Sequence, residues 1–94
     1  MILKKEHNYQ GKRLIVLCDS SLIGKKLSEN DLCLNISERF YKGEKLNESD
    51  LKELDDSVMF NLVGKESIKI ALKYKLINKD KIIKIQKVPH AMVI

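Results

Sequence analysis

Ninety-four residues make one domain with a modest core and leave no room for two independent ones. With 44% apolar residues, 33% charged residues and a formal net charge of +5, the chain matches a folded basic protein rather than a disordered tail. A membrane helix is excluded too, because the longest unbroken apolar run is Leu14-Ile15-Val16-Leu17-Cys18, against the roughly 20 residues a span needs.

Residues 1–8 predict a first strand. Their start places Lys4, Lys5 and Glu6 before any apolar stretch can form, which does not read as a secretory leader, so a cytosolic protein is expected. Asn8-Tyr9-Gln10-Gly11 supplies turn residues, and residues 12–18 predict a second strand joined to the first as a hairpin. Its run from Leu14 to Cys18 is continuously apolar, so this strand should be central and covered on both faces. Asp19-Ser20-Ser21 ends it, and Gly24 is free to turn the chain at positive φ. Residues 32–36 alternate as a third strand. Ser37 then caps a short helix through Phe40 and Tyr41 that stops at Gly43.

Leu51, Leu54, Val58 and Leu62 recur at helical spacing after the capping residues Asn47 and Ser49, predicting a helix closed by Gly64. The paired acids Asp55-Asp56 read as a solvated face of that helix. A second helix is predicted over residues 65–77, with Lys65, Lys69 and Lys73 as a narrow basic edge on an otherwise buried cylinder. After the polar turn at 78–81, residues 82–86 and 88–94 predict two final strands, Pro89 falling at a strand start, an edge or a bulge. Strands, then helices, then strands make an α+β class: an N-terminal hairpin plus a third strand, central helices, and two C-terminal strands in a small mixed or antiparallel sheet.

No tryptophan is present and only five side chains are Phe or Tyr, so aliphatic packing must carry the core. Cys18 and Cys33 are too few for a disulfide scaffold and sit in apolar runs, which predicts buried free thiols. Gly24-Lys25 and Gly64-Lys65 lack both the earlier glycine and the following Ser or Thr of a nucleotide-binding phosphate loop. A looser alternative, backbone amides after Gly64 holding a phosphate, ranks below a plain helix cap. Leu22-Ile23-Gly24-Lys25 and Leu62-Val63-Gly64-Lys65 look alike, but their settings differ and coincidence explains them. His7, His90, Cys18 and Cys33 have no paired ligand spacing, so neither a metal nor a cofactor is expected.

Charge is the clearest asymmetry. Residues 1–50 hold nine basic and eight acidic side chains, while residues 51–94 hold nine and five. Lysines along a helix edge and an adjoining strand (Lys65, Lys69, Lys73, Lys84 and Lys87) are suited to neutralising phosphates, which points to RNA or a ribosome as partner. Ordinary solubilising lysine accounts for them equally well. No base-reading motif is present.

Three strings, Cys18-Asp19-x-x-Leu22-x-Gly24-Lys25, Asn61-Leu62-Val63-Gly64 and Val88-Pro89-His90-Ala91, resemble in order a family of short archaeal proteins known as domain of unknown function number four-two-four. The resemblance implies a stand-alone cytosolic domain and carries over no catalytic residue. It suggests a working surface lined by Cys18, Asp19, Lys25, Asn61 and His90. Gly24, Gly64 and Pro89 match as well, and backbone geometry suffices for them. Three functional readings are open, in order of preference. The first is a non-catalytic RNA- or translation-associated module. The second is a protein-interaction adaptor or homodimer pairing through an edge strand near residues 89–94. The third is a small enzyme using Cys18, Asp19 and His90.

Overall fold

The computed structural model describes residues 1–52, 54 and 56–93. Eight strands and two helices succeed one another as β1 (Ile2–Tyr9), β2 (Lys12–Asp19), β3 (Lys26–Glu29), β4 (Leu32–Asn35), α1 (Glu38–Tyr41), β5 (Glu44–Lys45), β6 (Met59–Val63), α2 (Lys65–Lys73), β7 (Ile83–Ile85) and β8 (Val88–Val93). Six strands form one mixed sheet in the order β5-β1-β2-β6-β8-β7, and β3 with β4 makes a separate hairpin. The class is α+β, dominated by strands.

β2 is central because its apolar run can be satisfied only with cover on both faces. It pairs antiparallel with β1 and parallel with β6, Leu14 to Cys18 lying opposite Met59 to Val63. Alternation then divides the core. Ile15, Leu17, Phe60, Leu62 and Ala91 face α2, where Ile68, Ile70 and Ala71 pack on them. Val16, Cys18, Val63 and Ile85 face the β3/β4 hairpin, Ile36 and Tyr41. Ile15, Leu17 and Leu62 are wholly removed from water, and each such burial contributes about 1.5–3 kcal/mol.

Asp19 locks the sheet to the helix. As the last residue of β2, it accepts hydrogen bonds from the Glu66 amide (3.0 Å), the Ser67 amide (2.8 Å) and the Ser67 hydroxyl (2.8 Å). A carboxylate from another strand thus caps α2, taking two of the amides a helix start leaves unpaired and meeting the positive end of its dipole. Gly64 makes this approach possible. Its φ of 109° and ψ of 158° lie in a region essentially reserved for glycine, and a Cβ there would overlap the Asp19 carboxylate.

The hairpin of β1 and β2, the turn at Gly24 and the Ser37-capped α1 match the sequence reading. The helix predicted over 51–62 does not form. In its place a 3-10 turn at Glu48–Leu51 leads into β6. Leu51, Val58 and Leu62 still reach one core, and Leu54 packs against it, so helical spacing is met by a loop and a strand instead. The Asp55-Asp56 pair is not testable as a helix face, since Asp55 lies outside the described residues. Gly64 opens α2 rather than closing an earlier helix. α2 also stops at Lys73, short of 77, because Lys75 adopts φ 58° and the bonds from the Leu76 amide to Ala71 O (2.8 Å) and from the Lys75 amide to Leu72 O (3.1 Å) close a Schellman cap.

Three smaller features depart from the sequence expectation. The predicted third strand, observed as β4, belongs to the separate hairpin with β3, which the sequence reading missed. Cys33 is exposed, on the outward side of that hairpin, whereas Cys18 is buried as predicted. β8 is a sheet edge only in part: Val88 to His90 pair with β7 and His90 to Val93 with β6, so Pro89 and His90 lie inside the sheet. Ala91 to Val93 keep a flank with no strand pairing among the described residues, and of the predicted strand only Ile94 lies outside them. Pro89 is tolerated in that interior place because the Gly64 carbonyl it would have bonded already accepts the Ile68 amide at 3.0 Å.

Gly64→Ala must strain the backbone and displace the Asp19 carboxylate together. Its stability, measured by urea unfolding, is expected to fall by at least ~3 kcal/mol; a loss under ~1 kcal/mol contradicts this account of the junction.

Candidate functional site

Parallel strands β2 and β6 end at the same edge of the sheet, where α2 begins. A cleft of about 280 Å³ opens there, lined by Asp19, Ser21, Leu22, Gly64, Lys65, Glu66, Lys87 and Val88. The Glu66 and Ser67 amides, the natural anion donors of such an end, are taken by Asp19. A phosphate held by the backbone after Gly64 therefore finds two of its donors occupied, and the charged side chains left without an ion pair at this cleft, among the described residues, are Lys65 and Lys87.

Lys65 and Lys87 meet at the cleft from α2 and from the β7–β8 turn. Lys69 continues along the exposed side of α2. Lys84 lies opposite Pro89, which puts it on the α2 side of the sheet, since Ala91 of the same strand packs in the α2-side core. Lys65, Lys69, Lys84 and Lys87 are all exposed, and none makes an ion pair among the described residues. Lys73 is different: its ammonium lies 3.5 Å from Glu48 and 5.4 Å from the Tyr74 ring centroid. Glu66, the acid within the lysine stripe, pairs with the N-terminal amine at 3.3 Å.

The other sequence candidates separate. Cys18, Asn61 and His90 lie on the hairpin face of the sheet and are buried; Asp19 is buried on the α2 face; Lys25 is exposed in the link before β3. Cys18 lies level with Val63, and Val63 with His90, so β6 runs between the thiol and the imidazole. Two strand spacings put their backbones about 10 Å apart. Burial, reinforced by the neighbouring Asp19 charge, pushes the Cys18 thiol up to about 12, so it stays protonated and is a poor nucleophile at neutral pH. The Asn61 amide nitrogen donates to the Tyr41 hydroxyl at 3.2 Å, while its Oδ1 is buried with no partner among the described residues. His90 Nδ1 lies 3.0 Å from the Leu62 carbonyl, which requires an N–H there.

Sequence reasoning missed Tyr41 as the partner of Asn61 and Ser67 as the second donor to Asp19. It also missed the two-residue turn at Gln86 (φ 51°) and Lys87 (φ 68°). Turns of this kind favour Asn and Gly, and neither stands here to signal one. The Gln86 amide donates to Glu29 at 2.9 Å, which ties the turn to the β3/β4 hairpin.

Burial lowers the His90 pKa below its ordinary value of 6.5, outweighing the opposing effect of the Leu62 bond. The unfolded chain therefore binds a proton that the folded chain resists. This site contributes nothing to the pH dependence well above 6.5 and costs stability as pH falls from there toward the folded pKa. Urea unfolding across this range is expected to show the loss in the parent chain and a shallower slope in His90→Gln; identical slopes contradict the assignment.

A family model described as "Protein of unknown function (DUF424)" matches residues 7–94. Among solved structures, an uncharacterized conserved protein from Methanopyrus kandleri is similar, with 25% identity, a TM-score of 0.79, and coverage of 98% of this chain and 89% of that one. No curated protein sequence matches the chain. With all but its first six residues matched by the family model, the chain belongs to the DUF424 family.

Proposed function

We propose that this protein is a non-catalytic module that binds structured RNA, alone or within the translation machinery, through the lysines gathered where α2 begins. The observation carrying this reading is the convergence of Lys65 and Lys87 on one cleft, with Lys69 and Lys84 beside them and none of the four ion-paired among the described residues. Exposed, unpaired ammonium groups on one side of a fold can replace the counterions that a phosphate backbone releases on binding. Glu66 and Asp19, the acids at the cleft, are engaged by the N-terminal amine and by α2, which leaves the lysines as the uncompensated charges.

Lys87 holds φ 68°, a left-handed conformation it shares with Gln10, Asn30, Lys75 and Gln86 and one that Gly or Asn adopts with less strain. The catalytic alternative has less behind it, since Cys18 is buried and protonated and β6 separates it from His90. For an adaptor pairing through β8, the flank of Ala91 to Val93 that β7 does not reach is the edge left, shorter than expected.

Binding to bulk tRNA and to ribosomes, measured against salt, tests the proposal. A log–log slope of about −2 to −4 is expected. Lys65→Glu with Lys69→Glu should weaken binding at least tenfold (about 1.4 kcal/mol) without loss of fold. Lys87→Gly should be more stable than the parent yet bind less well. Absence of binding at low salt, or binding indifferent to these changes, overturns the reading.

A further inference from the structure

The lysine cleft leaves Asn61 unexplained. It sits at the middle of β6, 5% exposed, and its Oδ1 is the buried side-chain polar atom without a hydrogen bond among the described residues. A buried acceptor without a donor carries a desolvation cost that a native fold normally avoids. The strand register fixes its neighbours. Met92 lies opposite on β8, Met59 two residues earlier on the same side, and Tyr41, whose hydroxyl accepts the hydrogen bond from Nδ2, covers the other direction.

Beyond those methionines the sheet face is not covered by the hairpin. An apolar groove of about 290 Å³ lies there, lined by Tyr9, Leu14, Phe40, Met59, Asn61 and Met92 together with Phe60, none of them charged. Tyr9 and Met92 are 57% and 48% exposed, two of the few large apolar side chains the molecule leaves in water. The groove occupies the opposite sheet face and the opposite strand ends from Lys65 and Lys87, so it is independent of the RNA-binding proposal.

We infer that this groove is a binding site for a small neutral aromatic molecule with one N–H or O–H donor, of the phenol or indole class, whose donor meets Asn61 Oδ1. Each part of that description has a cause. The volume is at the lower bound of ligand pockets, enough for one ring system and too little for a nucleotide. With no charged lining group, an ion would lose its hydration without compensation. The Tyr9 and Phe40 rings and two thioethers suit an aromatic face. The vacant acceptor selects a donor over a hydrocarbon. Oδ1 exposes less than 1 Å² in this state. The ligand reaches it by displacing the unbranched Met59 and Met92 side chains, which adapt at low cost.

The test is a titration of the full chain followed by the methyl resonances of its three methionines, with phenol and its near-isostere toluene as probes. Phenol is expected to shift Met59 and Met92 saturably, to spare Met1, and to bind about tenfold more tightly than toluene. Asn61→Leu should erase that preference. Met92→Lys, a change on the exposed rim that leaves the core intact, should weaken both ligands severalfold. The two ligands compared on the parent chain decide the matter even if Asn61→Leu does not fold. Equal binding of phenol and toluene, shifts mapping elsewhere, or no saturable shift up to the solubility limit overturns the inference. Methionine shifts that track protein concentration without ligand also overturn it, since they make a second copy the occupant.

Discussion

The junction between sheet and helix depends on one buried carboxylate. Asp19 ends the central strand and accepts two amides and a hydroxyl from the first turn of α2. Those groups would otherwise be donors stranded at a buried helix end, each costly to leave unpaired. The same contact determines the residue at Gly64, where neither a Cβ nor an ordinary φ is compatible with a carboxylate so close. Through Gly64 it reaches β8 as well: the glycine amide bonds the Pro89 carbonyl at 2.9 Å, and the glycine carbonyl is turned to Ile68. Asp19, Gly64 and Pro89, matching positions in three separate sequence strings, are therefore adjacent parts of one joint.

That joint also orients the lysine face. Because Asp19 takes the helix-end amides, α2 presents Lys65 and Lys69 outward at a fixed angle to the sheet, and the β7–β8 turn brings Lys87 to the same cleft. The opposite corner is built on other chemistry. Asn61 and Tyr41 form a buried polar pair among apolar neighbours, and the sheet there ends in an uncharged groove. Charge and apolar surface thus lie at opposite strand ends of the six-stranded sheet, so each can be altered without the other.

Much of the fold was legible in the sequence where local and tertiary preferences agree. The run from Leu14 to Cys18 could be satisfied only by a central strand, and Ser37, with its hydroxyl free to accept an amide three residues on, marked the start of α1. The reading failed at 51–62 because a spacing of three, four and four between Leu51, Leu54, Val58 and Leu62 suits a helix and equally a loop and strand delivering side chains to one core. A better signal was present. Met59 to Val63 carries no charge on either face, is bounded by acids on one side and Gly64 on the other, and is strand-length. The end of α2 and the β7–β8 turn were hidden for a different reason, since Lys75, Gln86 and Lys87 hold left-handed conformations without glycine. Of the site, the lysine stripe on α2 was visible as periodicity. The meeting of Lys65 with Lys87, and the lone Asn61 acceptor, arise only from tertiary packing.

Hydrogen exchange of the native protein tests the central role of Asp19 most directly, at the Glu66 and Ser67 amides. If the carboxylate locks helix to sheet, these two amides open only with the sheet, and their protection equals that of the β6 amides despite their place at a helix start. If they exchange orders of magnitude faster while β6 stays protected, the first turn of α2 frays on its own and Asp19 is a local cap rather than the joint on which the fold depends.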